Sequence, residues 1–236
     1  FMSSRLFQNG IYQMRDVLDR TLGVLDDTGT VVACSDTAKA GEQFKEVIEI
    51  FEESQETIVL NGFTYKPVGI RNKVDYIIFV SGEDDVAQKY CAMLAVSISN
   101  IKQYYDEKYD KTHFVKNVIM DNILPGDISV KAKELHLQLD AFRVAFLIRA
   151  YDTYDFYVHD IIEGLFPSKN KDFIISLDEQ NIVLIKELKE NYDSKDLEKI
   201  AKTIVDTINS EALVKAHVGI GTVVNNIKNL AKSYKE

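Results

Sequence analysis

The sequence has few of the residues and patterns that mark several large classes of protein. It contains no tryptophan, three prolines and two cysteines, and its formal net charge is −9. Two cysteines among 236 residues do not make a disulfide framework, so we expect a reducing compartment, with the cytoplasm as the default. No apolar run approaches the ~20 residues of a membrane span, and we therefore expect no membrane partner.

Basic residues are sparse and scattered. Lys and Arg together number 28, against 37 Asp and Glu, and they form no basic stripe. Contacts to the phosphate backbone supply much of the affinity of proteins for DNA, and they require such a stripe. We do not expect these residues to bind DNA well.

The longest run with helical periodicity covers residues 84–123. Acidic residues at 83–85 suit a helix amino terminus, and Leu124-Pro125-Gly126-Asp127 predicts the stop. At 1.5 Å rise per residue, an unbroken helix of this length would extend roughly 60 Å, longer than a small domain is wide. We predict that it connects two domains, although two helices with a polar joint at residues 106–112 are the alternative.

The same helix is predicted to help to hold a homodimer. Apolar side chains are spaced four, three and four residues apart, as in a coiled-coil seam that spans less than two heptads. The residues predicted for dimerisation are Leu94, Ile98, Ile101 and Tyr105.

Residues 2–83 show the pattern of a small antiparallel sheet domain. Short apolar strands flank two turns, Asp26-Asp27-Thr28-Gly29 and Asn61-Gly62, and the second turn is a type I′ candidate. The order β-β-α-β-β-β is the one expected of a PAS-like ligand-sensing domain. The predicted elements are a helix at 3–21, strands at 22–25 and 30–34, a helix at 41–53, and strands at 57–60, 63–70 and 74–80.

Residues 124–236 predict a second α+β domain. A short helix precedes the order βαββαβα, which predicts an antiparallel sheet with helices on one face. Ser194 is the predicted N-cap of the helix at 194–212. The other elements are predicted at 129–137, 142–149, 153–165, 172–176, 182–185, 214–220 and 224–234.

Several stretches resemble one family of bacterial transcription regulators. Residues 22–36 (LGVLDDTGTVVACSD) and 62–82 are similar to the start and end of the sugar-diacid recognition domain. Residues 122–127 (NILPGD) and 218–236 resemble the GGDEF-like domain of the CdaR/PucR family. The resemblance implies a sensor, a connecting helix and a degenerate GGDEF-like (βαββαβ) domain. DNA binding would then come only through a helix-turn-helix domain that is absent from these residues.

Catalysis by the GGDEF-like domain is not expected. A diguanylate cyclase needs a Gly-Gly turn, which lets the backbone approach the nucleotide, and carboxylates that hold magnesium. The corresponding tip, residues 177–181, has no glycine pair, and Arg149 stands where a metal-binding acid would be wanted. Nearby Asp152, Asp155, Asp178 and Glu179 are interpreted as solvated loop charges.

Histidines and cysteines offer no recognisable metal site, and no cofactor is predicted. Four histidines, His113, His136, His159 and His217, show no pair at helical or finger spacing. Cys34 and Cys91 are interpreted as small buried hydrophobes.

A polar set in the first domain is the candidate ligand site. It consists of Ser35, Asp36, Lys39, Lys66 and Arg71. If the sheet curves around a pocket, the three cations would bind a small-molecule effector that carries a carboxylate. Exposed surface charges are the alternative. Lys39 replaces an arginine of the family pattern, and the histidine that usually follows the pattern's glycine is lacking here, so the identity of the acid stays open.

The sequence thus predicts the ligand-sensing regulatory region of a transcription regulator, without enzymatic activity. Ligand binding would bias the connecting helix, because a ligand shifts an equilibrium only through different affinities for its two states. The alternatives are a nucleotide-binding or nucleotide-processing enzyme that uses the C-terminal domain, and a scaffold for assembly alone.

Overall fold

A computed structural model describes residues 2–70, 73–151, 155–167 and 170–236, without the side chains of residues 2, 3, 70 and 155–157. The chain divides into two compact units, residues 1–106 and residues 107–236. The boundary falls within α3 (Asp85–Ile119). Both units combine helices with an antiparallel sheet, which confirms the predicted α+β class.

The N-terminal unit contains one five-stranded sheet in the order β2-β1-β5-β4-β3. Every neighbouring pair of strands is antiparallel. Its elements are α1 (Met2–Arg15), β1 (Leu22–Asp26), β2 (Val31–Cys34), a 3-10 turn (Thr37–Lys39), α2 (Lys45–Glu53), β3 (Ile58–Leu60), β4 (Phe63–Ile70) and β5 (Lys73–Ser81), followed by the first part of α3.

Both predicted hairpin turns of this unit form as the sequence indicates. Asn61 and Gly62 have φ of 50° and 83°, the pair of positive values that a type I′ turn requires. At the other turn, Asp26 Oδ1 accepts hydrogen bonds from the amides of Thr28 and Thr30 at 2.9 and 3.0 Å. Local turn chemistry therefore fixes the register of both strand pairs.

The two faces of this sheet pack against different helices. Alternate residues of each strand point to opposite faces, so Val24 belongs to a core shared with α1 and α3, whereas Leu25 belongs to a core shared with α2. On β5, Ile78 and Phe79 divide in the same way. The sheet is thus a wall between two separate apolar clusters.

The residues predicted as a dimer seam face the core of their own chain. Leu94 is 0% exposed and Ile98 1% exposed, and Ile101 is half-buried against the same cluster. Tyr105 is half-buried. A helix that packs on its own sheet shows the same apolar spacing as a coiled-coil seam, and this explains the wrong assignment of Leu94 and Ile98. The exposed side of α3 carries Met93 and Val96 instead.

Helix ends differ from the prediction by a few residues. α1 ends at Arg15 and α3 at Ile119, where Asp121 follows with φ of 57°. Pro125 does not end α3 but begins α4 (Pro125–Glu134), since the first turn of a helix tolerates a residue without an N–H. α3 continues through the polar residues 106–112, where two helices were the alternative.

The C-terminal unit contains a second sheet, in the order β10-β6-β8-β7, with β9 also paired to β6. Its elements after α4 are β6 (Asp140–Ala150), α5 (Asp155–Leu165), β7 (Phe173–Ser176), β8 (Asn181–Glu187), α6 (Ser194–Ala212), β9 (Ala216–Ile220), β10 (Val224–Asn226), a 3-10 turn (Ile227–Asn229) and α7 (Leu230–Lys235).

Helices cover both faces of this second sheet, not one face as predicted. Phe146 of β6 packs in a cluster with α5 and α6, while its neighbour Ala145 packs in a cluster with α4 and residues 114–119. The nearly continuous apolar run of β6 is the sequence feature that fits burial on both faces. Two local predictions for this unit are wrong. Residues 224–226 form a strand and not the start of the last helix. The N-cap of α6 is Asp193, not Ser194, and it forms a capping box with Asp196.

Among the residues that the structure describes, none of the helices has both the length and the apolar content needed to cross a membrane.

Candidate functional site

A cleft of about 500 Å³ opens on the α2 face of the N-terminal sheet. It lies between the amino end of α2 and the hairpin of β3 and β4. The residues that line it are Gln43, Phe44, Lys45, Glu46, Val47, Leu60, Asn61, Phe63 and Tyr65. This volume falls within the range of small-molecule sites, and the mixture of aromatic and polar walls is typical of them.

Four aromatic rings form one wall of the cleft and the layer behind it. Phe79 lies at the centre, with its ring centroid 5.9 Å from those of Phe44 and Phe63 and 6.2 Å from that of Tyr65. Phe79 is buried, whereas Phe44 and Phe63 are half-buried and present ring surface to the cleft. These spacings are those of interacting aromatic pairs, so the rings support one another.

Tyr65 brings a polar group into these apolar surroundings. The residue is 2% exposed, and within the described part of the chain its hydroxyl has no hydrogen-bond partner. Burial raises the pKa of Tyr65 to about 12, and the nearby charge of Glu46 adds to the effect. The phenol is therefore protonated at neutral pH, and it is available as a donor to a molecule in the cleft.

The amino end of α2 also lines the cleft. Its N-cap residue is Phe44, whose side chain accepts no hydrogen bond from the helix. In the described residues, the amides of Lys45 and Glu46 have no acceptor, while the amide of Val47 bonds weakly to the carbonyl of Phe44 at 3.2 Å. A helix start without a cap leaves N–H groups and a partial positive charge facing the cleft.

Among the predicted ligand residues that the structure describes, Lys39 lies beside the aromatic wall of this cleft without lining it. It ends the 3-10 turn after β2, and its Nζ lies 5.9 Å from the centroid of the Phe63 ring. The same Nζ is 3.9 Å from a carboxylate oxygen of Glu42, a weak and partly exposed pairing. Lys39 therefore stands beside the aromatic wall with most of its hydrogen-bonding capacity free.

Ser35 and Asp36, also predicted for the ligand, serve the backbone instead. Ser35 Oγ accepts the amide of Leu22 at 3.0 Å and so extends the pairing of β1 and β2. Asp36 caps the 3-10 turn by accepting the amide of Ala38 at 3.2 Å. Neither residue lines the cleft.

Lys66 lies on the other face of the sheet. It is the cross-strand partner of Ile78, which belongs to the cluster packed against α1 and α3. Its neighbour Tyr65 pairs with Phe79 and faces the cleft. Strand alternation thus separates Lys66 from Lys39, contrary to the prediction that they converge. Arg71, the fifth predicted residue, lies outside the described residues.

Sequence reasoning missed the aromatic residues that shape the cleft. Phe63 and Tyr65 alternate on β4, which signals one common face, but two apolar residues on a strand are normally assigned to the core. The absence of Ser, Thr, Asp or Asn immediately before α2 was a second available signal, since most helices place such a residue at the N-cap.

In the C-terminal unit, the hairpin tip between β7 and β8 is internally bonded. Asp178 Oδ1 accepts hydrogen bonds from the amides of Gln180 and Asn181 at 2.8 and 2.9 Å and from Asn181 Nδ2 at 2.9 Å. The bond from the Asn181 side chain, followed by that from Gln180, lowers the pKa of Asp178. Arg149 is the cross-strand partner of Asn181. Its guanidinium carbon lies 5.4 Å from the centroid of the Tyr151 ring.

Among the described residues, α5 carries one group of potential metal ligands. Single ligand atoms of His159, Asp160 and Glu163 lie within 4.8 Å of one another, a helical grouping that the sequence analysis had not counted as a pair. Glu163, however, is ion-paired with Lys108. An ammonium group on one of the three ligands competes with a cation for the same oxygen atoms.

Residues 121–236 match the family described as the GGDEF-like domain. This stretch is a GGDEF-like domain. The GGDEF-like part of the sequence resemblance is thereby confirmed, and the N-terminal unit lies outside the match. No curated protein matches the sequence.

Among solved structures, the chain is similar to PelD 158-CT from Pseudomonas aeruginosa PAO1, with a TM-score of 0.29 and 10% sequence identity. The similarity covers 94% of this chain and 82% of the PelD chain.

Proposed function

We propose that this chain is the ligand-sensing region of a bacterial regulatory protein, in which a PAS-like N-terminal unit binds a small molecule in the cleft beside α2. The observation that carries the proposal is Tyr65, which lines the cleft with a hydroxyl that finds no partner in the described part of the chain. No described residue pairs with this hydroxyl, and its oxygen is not one of the fully buried unpaired atoms, so it is accessible from the cleft and can bond a ligand atom in place of water.

The order of elements supports the PAS-like assignment. Two strands, the 3-10 turn and α2, and then three further strands form the antiparallel sheet. The cleft lies between the sheet and α2, so it is built from the parts of the unit that sequence analysis had assigned to a sensor.

Ligand binding has a direct route to α3. Phe79 touches the cleft rings, while its neighbours on β5, Ile78 and Val80, pack on the opposite face with Leu94 of α3. β5 also leads into α3 through Asp84, whose side chain accepts the amide of Ala87 at 3.2 Å. If β5 has two conformations and the ligand binds one of them more tightly, ligand binding would therefore shift the position of the start of α3.

The GGDEF-like domain is proposed to act without catalysis. Its hairpin tip has no glycine pair, and Asp178 is engaged inside the turn. In the full regulator, DNA binding would come from a further domain, because a net charge of −9 repels nucleic acid.

A thermal-shift screen tests the sensor proposal. The panel contains small carboxylates, sugar acids, purine metabolites and nucleotides. A ligand at about 100 times its dissociation constant adds about 2.7 kcal/mol of stability, a readily visible shift. Protection from hydrogen exchange in β4 and α2 on binding supports the proposal. Stabilisation only by nucleotide with magnesium, with protection confined to residues 121–236, contradicts it.

A further inference from the structure

We infer that the cleft beside α2 selects a planar, ring-bearing monocarboxylic acid, with its ring against Phe44 and Phe63 and its carboxylate at the amino end of α2. This inference rests on the proposed function and names the chemical class of the ligand. Four features of the cleft carry it.

The first feature is a flat apolar surface. Phe44 and Phe63 are half-buried, each with its ring centroid 5.9 Å from that of Phe79 behind them. Leu60 and Val47 complete the apolar lining. Aromatic faces hold another ring by offset or edge contacts, and they bury more area against a planar molecule than against a flexible chain.

The second feature is the hydroxyl of Tyr65. The residue is nine-tenths or more buried and lines the cleft, and no described residue accepts its proton. Removing this hydroxyl breaks no hydrogen bond within the described protein. Any loss of binding in a Tyr65→Phe protein can therefore be assigned to a bond between the phenol and the ligand.

The third feature is the pair of amides at the start of α2. Those of Lys45 and Glu46 have no acceptor among the described residues, and no side chain caps this nine-residue helix. Amides of this kind, together with the helix dipole, bind carboxylates well. Lys39 stands beside the Phe63 ring as an additional positive charge. The side chain of Lys45 also lines the cleft at this helix start, so the donors and the positive charge are gathered at the amino end of α2.

The fourth feature is Glu46, which limits how much negative charge the cleft accepts. Its exposed carboxylate lines the cleft and lies close enough to Tyr65 to act on the titration of the phenol. Lys45 and Glu46, the two charged residues that line the cleft, offset each other, so the helix amides and the nearby Lys39 remain to balance one ligand carboxylate. A diacid would bring its second charge toward Glu46, and like charges repel. The cleft therefore discriminates against sugar diacids.

The test compares three probes by calorimetry with the whole chain: indole-3-carboxylate, the matched neutral indole-3-carboxamide, and glucarate as a sugar diacid. We expect the ring acid to bind at least tenfold more tightly than either of the other two. Tyr65→Phe should weaken binding of the ring acid about five- to tenfold without lowering the melting temperature. Lys39→Gln should weaken it more than Lys66→Gln, a matched change on the opposite face of the sheet.

The outcomes separate this inference from the proposed function. Tight binding of glucarate that is insensitive to Tyr65→Phe overturns the ligand class but leaves the sensor. Equal binding of acid and carboxamide overturns the carboxylate at α2. Absence of binding by all three probes at millimolar concentration also overturns the ligand class. The proposed function fails separately, if the wider thermal-shift panel yields ligands only for residues 121–236.

Discussion

Gly23 on β1 lies directly opposite Phe79 on β5, and a Cβ on Gly23 would stand 2.1 Å from Cζ of the Phe79 ring. The ring thus occupies the space that a side chain on β1 would fill. Because glycine in a strand normally weakens it, its use here is explained by the ring that crosses over it. The aromatic layer behind the candidate cleft depends on this one missing side chain.

Gly23→Ala should displace Phe79 and loosen the aromatic layer. Overpacking of a filled core costs about 1–3 kcal/mol, and we expect faster amide exchange in β1 and β5 together with weaker ligand binding. Gly164→Ala is the matched control. Gly164 lies in α5 with nothing within 4 Å of an added Cβ, so alanine should be neutral or stabilising there. Unchanged exchange in β5 of Gly23→Ala would contradict the proposed role of Gly23.

The parts of the fold that sequence reasoning predicted well are those fixed by local chemistry. Asn61-Gly62 has few conformations open to it other than the tight turn that it forms. The periodicity of α6 is equally local, and its predicted bounds, residues 194–212, agree with the structure. The ends of α1 and α3 were predicted less well because no proline or glycine marks them.

The parts that failed depend on which face of an element meets which partner. Lys66 and Tyr65 are adjacent, and only the register of β4 against β5 shows that they face opposite sides. Leu94 and Ile98 belong to an apolar stripe with helical spacing. The spacing alone does not show whether the stripe packs against a second copy or against the same chain. The unpaired hydroxyl of Tyr65 became visible only once its surroundings were known.

Core and surface positions of α3 should respond in opposite ways to the same substitution. Leu94 is 0% exposed and packs with α1 and the sheet, so Leu94→Ala should cost about 2–5 kcal/mol of unfolding free energy. Met93, the preceding residue, is 60% exposed, and Met93→Ala should change stability by less than about 0.5 kcal/mol. Urea unfolding of the two variants, followed by amide exchange in α1, measures the difference. Similar losses in both would contradict the assignment of faces.

The predicted homodimer, if it uses α3, should use its exposed side. The exposed apolar residues on this side are Val86, Met93 and Val96. Contact of their side chains with water is unfavourable, and burial against a second copy would remove it. We expect Met93→Asp to shift sedimentation toward the monomer while leaving the fold intact. Gln88→Asp, an exposed position on another face of the same helix, adds the same single negative charge and serves as the control. A Met93→Asp chain that still sediments as a dimer would assign the contact elsewhere.

No turnover of GTP is expected with magnesium. The side chain of Asp178 already accepts four hydrogen bonds from Gln180 and Asn181, and Arg149 places a positive charge beside it. A metal ion would have to break these bonds and tolerate the guanidinium. Chromatography of GTP after incubation with the chain measures turnover. Product formation that disappears in Asp178→Ala would revive the enzyme alternative and would contradict a purely regulatory domain.

The Arg20–Asp84 pair should make the start of α3 sensitive to acid. Arg20 donates to both carboxylate oxygens of Asp84, and this bonding holds the pKa of Asp84 well below its usual range. An unfolded aspartate has a pKa of about 3.9, so above about pH 5 the pair contributes its full stability. As the pH falls below about 4, the unfolded chain takes up the proton first, and the contribution is lost.

Asp84→Asn isolates this effect, since asparagine can still cap α3 by accepting the Ala87 amide but carries no charge. Wild type should melt at a higher temperature than Asp84→Asn at neutral pH, and the difference should shrink steadily as the pH falls through 4. Asp85→Asn, which removes a neighbouring charge and leaves the Arg20 pair in place, should retain the steeper acid loss of wild type. A difference between wild type and Asp84→Asn that stays constant down to pH 3 would show that the ion pair does not stabilise the folded unit.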